Sequence, residues 1–407
     1  MPFVDFEDVV QNIVDEVFLD KQREDGVYDY ESLPKNFLKL ALVSHNFADP
    51  VRRNLYRDLR VEGTERFLLL TGQLRFSPHL AKFVKSADLV SNCLQRTPID
   101  PGFDNDSDDD HPGYQPRSVS VTALRWFLEA CPQLTSLSLT GGDFMWALCK
   151  QDPKTLRITD VTLLGCSRCN PRAPTSCTAD IHEGWLKRIV AFPRLKELDI
   201  SEFDIGAGPV DATVGVKSGS SVCTGLSISN MNKRTTAKGL TTLIRSMPGL
   251  KELVLDGLQP MPRGELKKCL QVAARLTLLT ITDYHSEEGF PRLWEDDTVA
   301  GLQQLKTLSL NGVPVLPPFL DALPPRLEHL RLSRLAVALL PVPVLVAWLR
   351  SRFSHRGVLK KFEVVGELRG NSFNKGPKAS DAQVAELAQL CSGLNVEFIH
   401  NPNEYGF

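Results

Sequence analysis

From about residue 130 onward one spaced triplet keeps returning: an apolar residue, two of any kind, a second apolar residue, one of any kind, a third. It reads Leu134/Leu137/Leu139, Ile158/Val161/Leu163, Leu195/Leu198/Ile200, Cys223/Leu226/Ile228 and Leu250/Leu253/Leu255. It continues as Leu276/Leu279/Ile281, Leu305/Leu308/Leu310, Leu327/Leu330/Leu332, Leu359/Phe362/Val364 and Cys391/Leu394/Val396. The leading positions lie between 22 and 37 residues apart. The last two positions of each triplet are two residues apart, so on a short strand they point to one face, with the leading one packed behind them. A single unit cannot bury that face. A stack of units makes one continuous core, and recurrence at this spacing is the signature of a solenoid.

A second marker fixes the register. Pro132, Pro193, Pro248 and Pro325 each lie two residues before a leading Leu, and apolar-periodic stretches such as 123–130, 185–191 and 240–246 precede them. Proline cannot continue a helix and pushes its predecessor towards extended geometry, so each unit reads helix, stop, Leu, short strand. Ten matches with a repeated proline offset separate this pattern from an ordinary Leu-rich α/β sheet. The pattern resembles the leucine-rich repeat family, and the fold expected is an α/β solenoid of irregular repeats with a helix on the convex side. The Asn or Cys of the family consensus after the strand is mostly missing, Asn311 being one of few candidates.

In such a repeat the residues flanking the middle apolar position face the concave surface. That predicts a concave strip including Glu197, Asp199, Glu252, Asp256, Thr307, Ser309, His329 and Arg331, acidic in the middle units and more basic in the later ones. A partner with a basic segment and a merely solvated face are the two readings of that strip.

Residues 1–60 do not repeat. Val9, Val10, Ile13, Val14, Val17 and Phe18 lie at helical spacing with acidic residues between them, and Leu40, Val43 and Phe47 share a face farther on. Asp49-Pro50 reads as the N-cap and first position of another helix. The stretch FLKLALVSHNFADPVRRNLYRDLRV resembles the closing half of an F-box, through Leu40, Leu42, Val43, Ser44 and Phe47. The following LYRDLRV and SPHLAKFVKSADL resemble the junction into the first repeat of F-box proteins common in basidiomycete fungi, with Val84, Ala87 and Leu89 as a degenerate first repeat. Two departures are Phe6-Glu7 where the family has Leu-Pro, and a longer loop between the first two helices. The resemblance implies a non-catalytic substrate-recognition subunit of an SCF-type cullin–RING ubiquitin ligase. It implies docking on a Skp-type adaptor through Val9, Val10, Ile13, Val14, Leu40, Val43 and Phe47, and repeats that hold a protein substrate. The alternative is a leucine-rich-repeat scaffold with no ligase role, in which those residues form the small domain's own core or cap the solenoid.

The expected order is therefore an F-box-like helical domain at 1–60, a junction and degenerate first repeat at 61–97, an acidic loop at 98–117, the repeat array at 118–400 and a tail at 401–407. Lys plus Arg is 47 and Asp plus Glu is 49, a net charge of -2 that gives no general reason to expect nucleic acid or an anionic membrane as partner. Met1 to Val10 has neither a basic start nor a long apolar core, so no secretory signal is expected. The longest apolar stretch, Leu335 to Leu349, is interrupted by Pro341 and Pro343 and falls short of the roughly 20 residues a spanning helix needs. Nine scattered cysteines read as small buried hydrophobes of a reducing compartment, cytoplasm or nucleus.

Other constellations carry less. Cys166, Cys169, Cys177 and His182 are the one cluster of zinc-ligand types, but the gaps match no standard finger, and scattered loop cysteines are the competing reading. The run Asp104 to Asp110 begins like a calcium loop yet has Asp109 where Gly is required and Gln115 where Glu is, so it reads as a solvated acidic linker. No glycine-rich phosphate loop, Gly-x-Ser-x-Gly elbow or paired-His motif appears, and no cofactor is expected.

Overall fold

A computed structural model of the chain describes residues 45–91, 119–165, 183–201, 205, 221–229, 236–257, 264–283, 297–333, 340–354, 358–368 and 378–402. It divides into two compact units, residues 1–162 with 168–177 and residues 163–167 with 178–407.

The first unit contains α1 (His45–Arg57), β1 (Asp58–Glu62), α2 (Thr64–Phe76), α3 (Pro78–Ala81), β2 (Ser86–Val90), α4 (Val121–Ala130), β3 (Ser136–Thr140) and α5 (Gly142–Cys149), with β4 (Asp160–Leu164) at its boundary. β1, β2 and β3 are parallel and in register, so that Val61, Leu89 and Leu139 form one buried row. Behind the strands Phe67 of α2 meets Phe144 of α5 edge-on at 5.0 Å and Phe127 of α4 at 5.5 Å, the offset geometry that aromatic quadrupoles favour.

The second unit contains α6 (Glu183–Val190), β5 (Glu197–Ser201), β6 (Gly225–Ser229), α7 (Ala237–Arg245), β7 (Glu252–Asp256), α8 (Glu265–Gln271), β8 (Leu278–Thr282), β9 (Thr307–Asn311), α9 (Pro317–Asp321), β10 (His329–Ser333), α10 (Val342–Ser354), β11 (Lys361–Val365), α11 (Asp381–Gly393) and β12 (Glu397–Asn401). Strands β5 to β12 are parallel in chain order, and each pairs with the next at one register. Leu198, Leu226, Leu253, Leu279, Leu308, Leu330 and Phe362 thereby stack as one fully buried row. This is the leucine-rich-repeat architecture expected from the triplets.

The proline marker has a local cause. Before each strand the amide of the leading Leu donates to the carbonyl three residues back: Leu134 to Cys131 at 3.1 Å, Leu195 to Phe192 at 3.3 Å, Leu250 to Met247 at 3.0 Å. Pro132, Pro193 and Pro248 occupy the second position of these turns, where a fixed φ near -65° is already correct. The first position of the turn points inward, and Cys131, Phe192 and Met247 are all buried.

The repeats are then stapled together one residue before each strand. Thr277 and Leu278 amides both donate to the Lys251 carbonyl, at 2.7 and 3.0 Å, and Lys306 and Thr307 both donate to Thr277, at 2.9 and 3.0 Å. Glu328 and His329 do the same to Lys306, as Thr135 and Ser136 do to Lys85 in the first unit. One carbonyl accepts two bonds from the next repeat, which holds register without help from the loops.

At the strand exits glycine takes the left-handed backbone. Gly63, Gly141, Gly257, Gly312 and Gly366 all have positive φ. At Gly312 a Cβ would lie 2.1 Å from the Asp283 carbonyl oxygen, so both the φ of +71° and the close approach demand glycine.

Two readings of the sequence are corrected. The last triplet, Cys391/Leu394/Val396, is not a strand: Ser380 and Gln383 form a capping box that starts α11, which runs through Gly393, and β12 follows at Glu397–Asn401. Cys391 is buried from the helix, and the Val396 that completed the pattern lies one residue ahead of the strand. Asp49-Pro50 does not begin a helix either, since α1 runs through it, and Asp49 Oδ1 takes Arg52 Nη1 at 3.1 Å.

Candidate partner-binding face

On β5 to β11 the second and fourth residues are buried, and the first and third point outward. Inter-strand register sets the outward ones in rows: Glu197, Gly225, Glu252, Leu278, Thr307 and His329 in the first, Asp199, Ser227, Val254, Thr280, Ser309 and Arg331 in the third. Seven of the eight strip residues named from sequence fall in these rows. Asp256 does not flank a middle position. It ends β7 in a fifth row with Thr282 and Asn311.

The charges along this face differ in how they are satisfied. Arg331 Nε lies 3.5 Å from Glu363 Oε1, and Lys361 Nζ lies 3.8 Å from Glu363 Oε2, so the two cations share one carboxylate. Glu197, Asp199, Glu252 and Asp256 have no ion pair among the described residues. Glu197 adds to the burial that drives the neighbouring Cys223 thiol up to about 12. In the fifth row Oδ1 of Asp256 and Oδ1 of Asn311 are buried without a donor, on either side of Thr282. Both oxygens are acceptors, and both are shielded from solvent.

At the edge of the face one position earlier, Glu328 sits between Lys306 and Lys360, at 3.5 and 2.6 Å. The Lys360 hydrogen bond holds its carboxyl below the usual range. Both lysines are exposed and Glu328 is half-buried, and pairs so close to solvent contribute little to stability.

Of the fifth row the sequence reading named Asp256 but not Thr282 or Asn311, because alternation identifies flanking residues and is silent on the strand's last one. The exit glycine after Asp256 and Asn311 was the available signal. Elsewhere in the first unit a cavity of about 220 Å³ is rimmed by Arg125, Glu129 and Arg157 over Cys131 and Leu134. Gln151 closes it, donating both Nε2 hydrogens to Val121 and Ala147 carbonyls. The buried thiols of Cys131 and Cys391 are pushed up to about 12 and about 11 by desolvation, which keeps them protonated and poor nucleophiles.

Val9, Val10, Ile13, Val14, Leu40 and Val43 lie outside the described residues, as do Cys166, Cys169, Cys177 and His182 and the 98–117 loop. Of Phe47 only the backbone, within α1, is described. Among the described residues no group of three His, Cys, Asp or Glu side chains converges as a metal site, and no helix is long and apolar enough to cross a membrane.

No protein-family model matches the chain, and no curated protein matches it. Solved structures do. One from the complex of Rad7 and Elc1 in yeast is 14% identical over 91% of this chain and 90% of that one, with a TM-score of 0.35. Two internalins of Listeria monocytogenes also match. Internalin C2 is 15% identical over 53% of this chain and 74% of its own, with a TM-score of 0.29. Internalin F is 13% identical over 69% and 72%, with a TM-score of 0.34.

Proposed function

We propose that this chain is a non-catalytic receptor that holds a protein partner on the strand face of its second unit. The observation that carries the reading is the contrast along that face: Arg331 and Lys361 share Glu363, whereas Glu197, Asp199, Glu252 and Asp256 have no cation among the described residues. Four carboxylates without an ion pair among the described residues, on a sheet whose strands lie about 4.8 Å apart, suit an extended or helical segment rich in Lys and Arg.

What the partner is held for follows from the N-terminal sequence. Its F-box-like stretch, through Val9, Val10, Ile13, Val14, Leu40, Val43 and Phe47, supports docking on a Skp-type adaptor. The chain would then be the substrate receptor of an SCF-type cullin–RING ubiquitin ligase in the cytoplasm or nucleus, and the partner on the strand face would be its substrate.

The test is capture of the full chain by a purified Skp-type adaptor, beside a Val14→Asp/Val43→Asp variant with an unchanged melting curve. Binding by the wild type that the variant loses supports the ligase role. A folded wild-type chain that does not bind removes the ligase role and leaves a leucine-rich-repeat scaffold that binds a protein through the same face.

A further inference from the structure

Gly225 is the only glycine within the described strands, and nothing in the fold asks for it. Its φ is not left-handed, unlike that of the strand-exit glycines. It pairs in unbroken register with Glu197 of β5 and Glu252 of β7, so it marks neither a turn nor a bulge. The Gly225 amide donates to the Lys196 carbonyl at 2.9 Å, and the Thr224 carbonyl before it takes the Lys251 and Glu252 amides at 2.8 and 2.9 Å. The backbone is thus held from both sides in an ordinary extended conformation. A Cβ at Gly225 would make only ordinary contacts, with Glu197 Cγ at 3.4 Å, the Lys196 carbonyl oxygen at 3.8 Å and Glu197 Cα at 3.9 Å. Gly312, where a Cβ would lie 2.1 Å from a backbone oxygen, is the opposite case. A glycine inside a strand weakens it, and such a residue marks a bulge, a bend or the close approach of another molecule. Regular register and conformation leave the last of these.

The place of Gly225 in the rows says what approaches. It lies in the first outward row, with Glu197 on one side and Glu252 on the other, and Asp199 is in the third row beside Ser227. All three carboxylates are exposed. Strand spacing sets the two flanking Cα atoms roughly 10 Å apart, and the missing side chain leaves a notch between them floored by the β6 backbone. Lys196 and Lys251, one residue ahead of the flanking strands, make no ion pair with these carboxylates among the described residues. The carboxylates alone single out no position on the face, and the glycine does.

A side chain that fits here needs length and positive charge together. Lysine and arginine carry their charge at the end of a flexible apolar stem. The stem can lie on the glycine while the head stands between Glu197 and Glu252. A cation on a short stem stops above the notch, and an apolar side chain would desolvate the carboxylates without pairing them.

We infer that Gly225 is the specificity-determining residue of the strand face, opening a notch that takes one Lys or Arg side chain of the partner between Glu197 and Glu252. This rests on the receptor reading and deepens it. A face that attracts positive charge becomes one that measures the length of a side chain at a single position.

Equilibrium binding of two peptides to the full chain at low salt tests the notch. One peptide alternates Arg and Ala; the other replaces each Arg by 2-amino-3-guanidinopropionate, equally charged but shorter in the stem. The wild type should bind the Arg peptide at least about tenfold more tightly. Gly225→Val leaves every charge in place and puts a strand-favouring residue in the notch, so it should bind the two peptides within about twofold of each other. Amide exchange of β6 and β7 shows whether that variant is folded. Should it not be, Gly225→Ala adds only the ordinary contacts given above and should cut the preference by about threefold or more. A preference as large in the folded variant as in the wild type overturns the inference and leaves the receptor reading standing. A wild type that binds both peptides alike has the same meaning. A wild type that binds neither peptide overturns the acidic-face reading and the notch with it.

Discussion

Gly312→Ala isolates the strand-exit glycine that follows β9. The added methyl would sit 2.1 Å from the Asp283 carbonyl oxygen and 3.2 Å from its carbon, both backbone atoms that no rotamer change can move. Holding alanine at a φ of +71° costs about 1–2 kcal/mol on its own. Relieving the contact means separating two backbones, which strains the bond from Gly312 N to Ser333 O at 3.2 Å and that from Asp283 N to Asn311 O at 2.9 Å. Losing one such bond with its partner left buried adds about 1–3 kcal/mol, so the variant should be about 2–5 kcal/mol less stable around β8 to β10. A repeat array need not unfold in one step, so a single melting temperature is the wrong readout. Native-state hydrogen exchange of the β8, β9 and β10 amides is the right one, and their protection should fall by roughly thirtyfold or more. Gly393→Ala provides the control: it is helical and open, with nothing within 4 Å of a Cβ, and should gain up to about 1 kcal/mol. If Gly312→Ala keeps its β8–β10 protection, the requirement for glycine at the strand exits is refuted.

Further expectations follow from particular side chains. Trp348 Nε1 donates to the Leu320 carbonyl at 2.9 Å in the interior, so Trp348→Phe keeps the ring against Phe362 yet should cost about 1–3 kcal/mol by urea denaturation of the second unit. Phe67→Ala removes the ring shared by Phe127 and Phe144 and should destabilise the first unit by about 3–5 kcal/mol, with β5 to β12 protection unchanged. Burial raises the Cys131 and Cys223 thiols from 9.0 to about 12, so the folded chain holds these protons more tightly than the unfolded one. Their contribution is complete below pH 9.0 and is lost as pH rises towards 12, so denaturation midpoints should fall in that window, and less steeply in Cys131→Ala/Cys223→Ala. On the strand face, Asp199→Lys/Glu252→Lys should weaken capture of Lys- and Arg-rich peptides by about tenfold or more at low salt, and wild-type capture should fade as salt rises. Equal capture by both proteins would leave the acidic strip as a solvated surface.

The fold was legible because burial in this architecture is local and periodic. Leu134, Leu137 and Leu139 carry their spacing on the surface of the sequence, and the Pro132 offset reports a turn that is the same from repeat to repeat. The strand at 397–401 was missed because its second and fourth residues, Phe398 and His400, are only half-buried, so the buried Val396 mimicked the pattern. Pro50 misled through propensity, which the packing of α1 on β1 and α3 overrides. The strip was readable as alternation, but its energetics were not. That Glu363 pairs with Arg331, 32 residues earlier, while Glu197 and Glu252 have no ion pair among the described residues, depends on neighbours from other repeats.

The double-acceptor carbonyls have a consequence for how such a chain changes over time. Because Lys251, Thr277 and Lys306 each anchor the next repeat through two backbone bonds, alignment is set by a few residues around each strand start. The distance along the chain between one anchor and the next is left free, and lengthening a loop costs only a slowly growing entropy, about 0.6 kcal/mol per doubling. The spread from 22 to 37 residues between triplets is what that freedom leaves behind. Insertions and deletions can therefore accumulate between one anchor and the next while the strand rows stay in step. Sequence drift of this kind erases overall similarity to relatives long before it disturbs the surface that meets a partner.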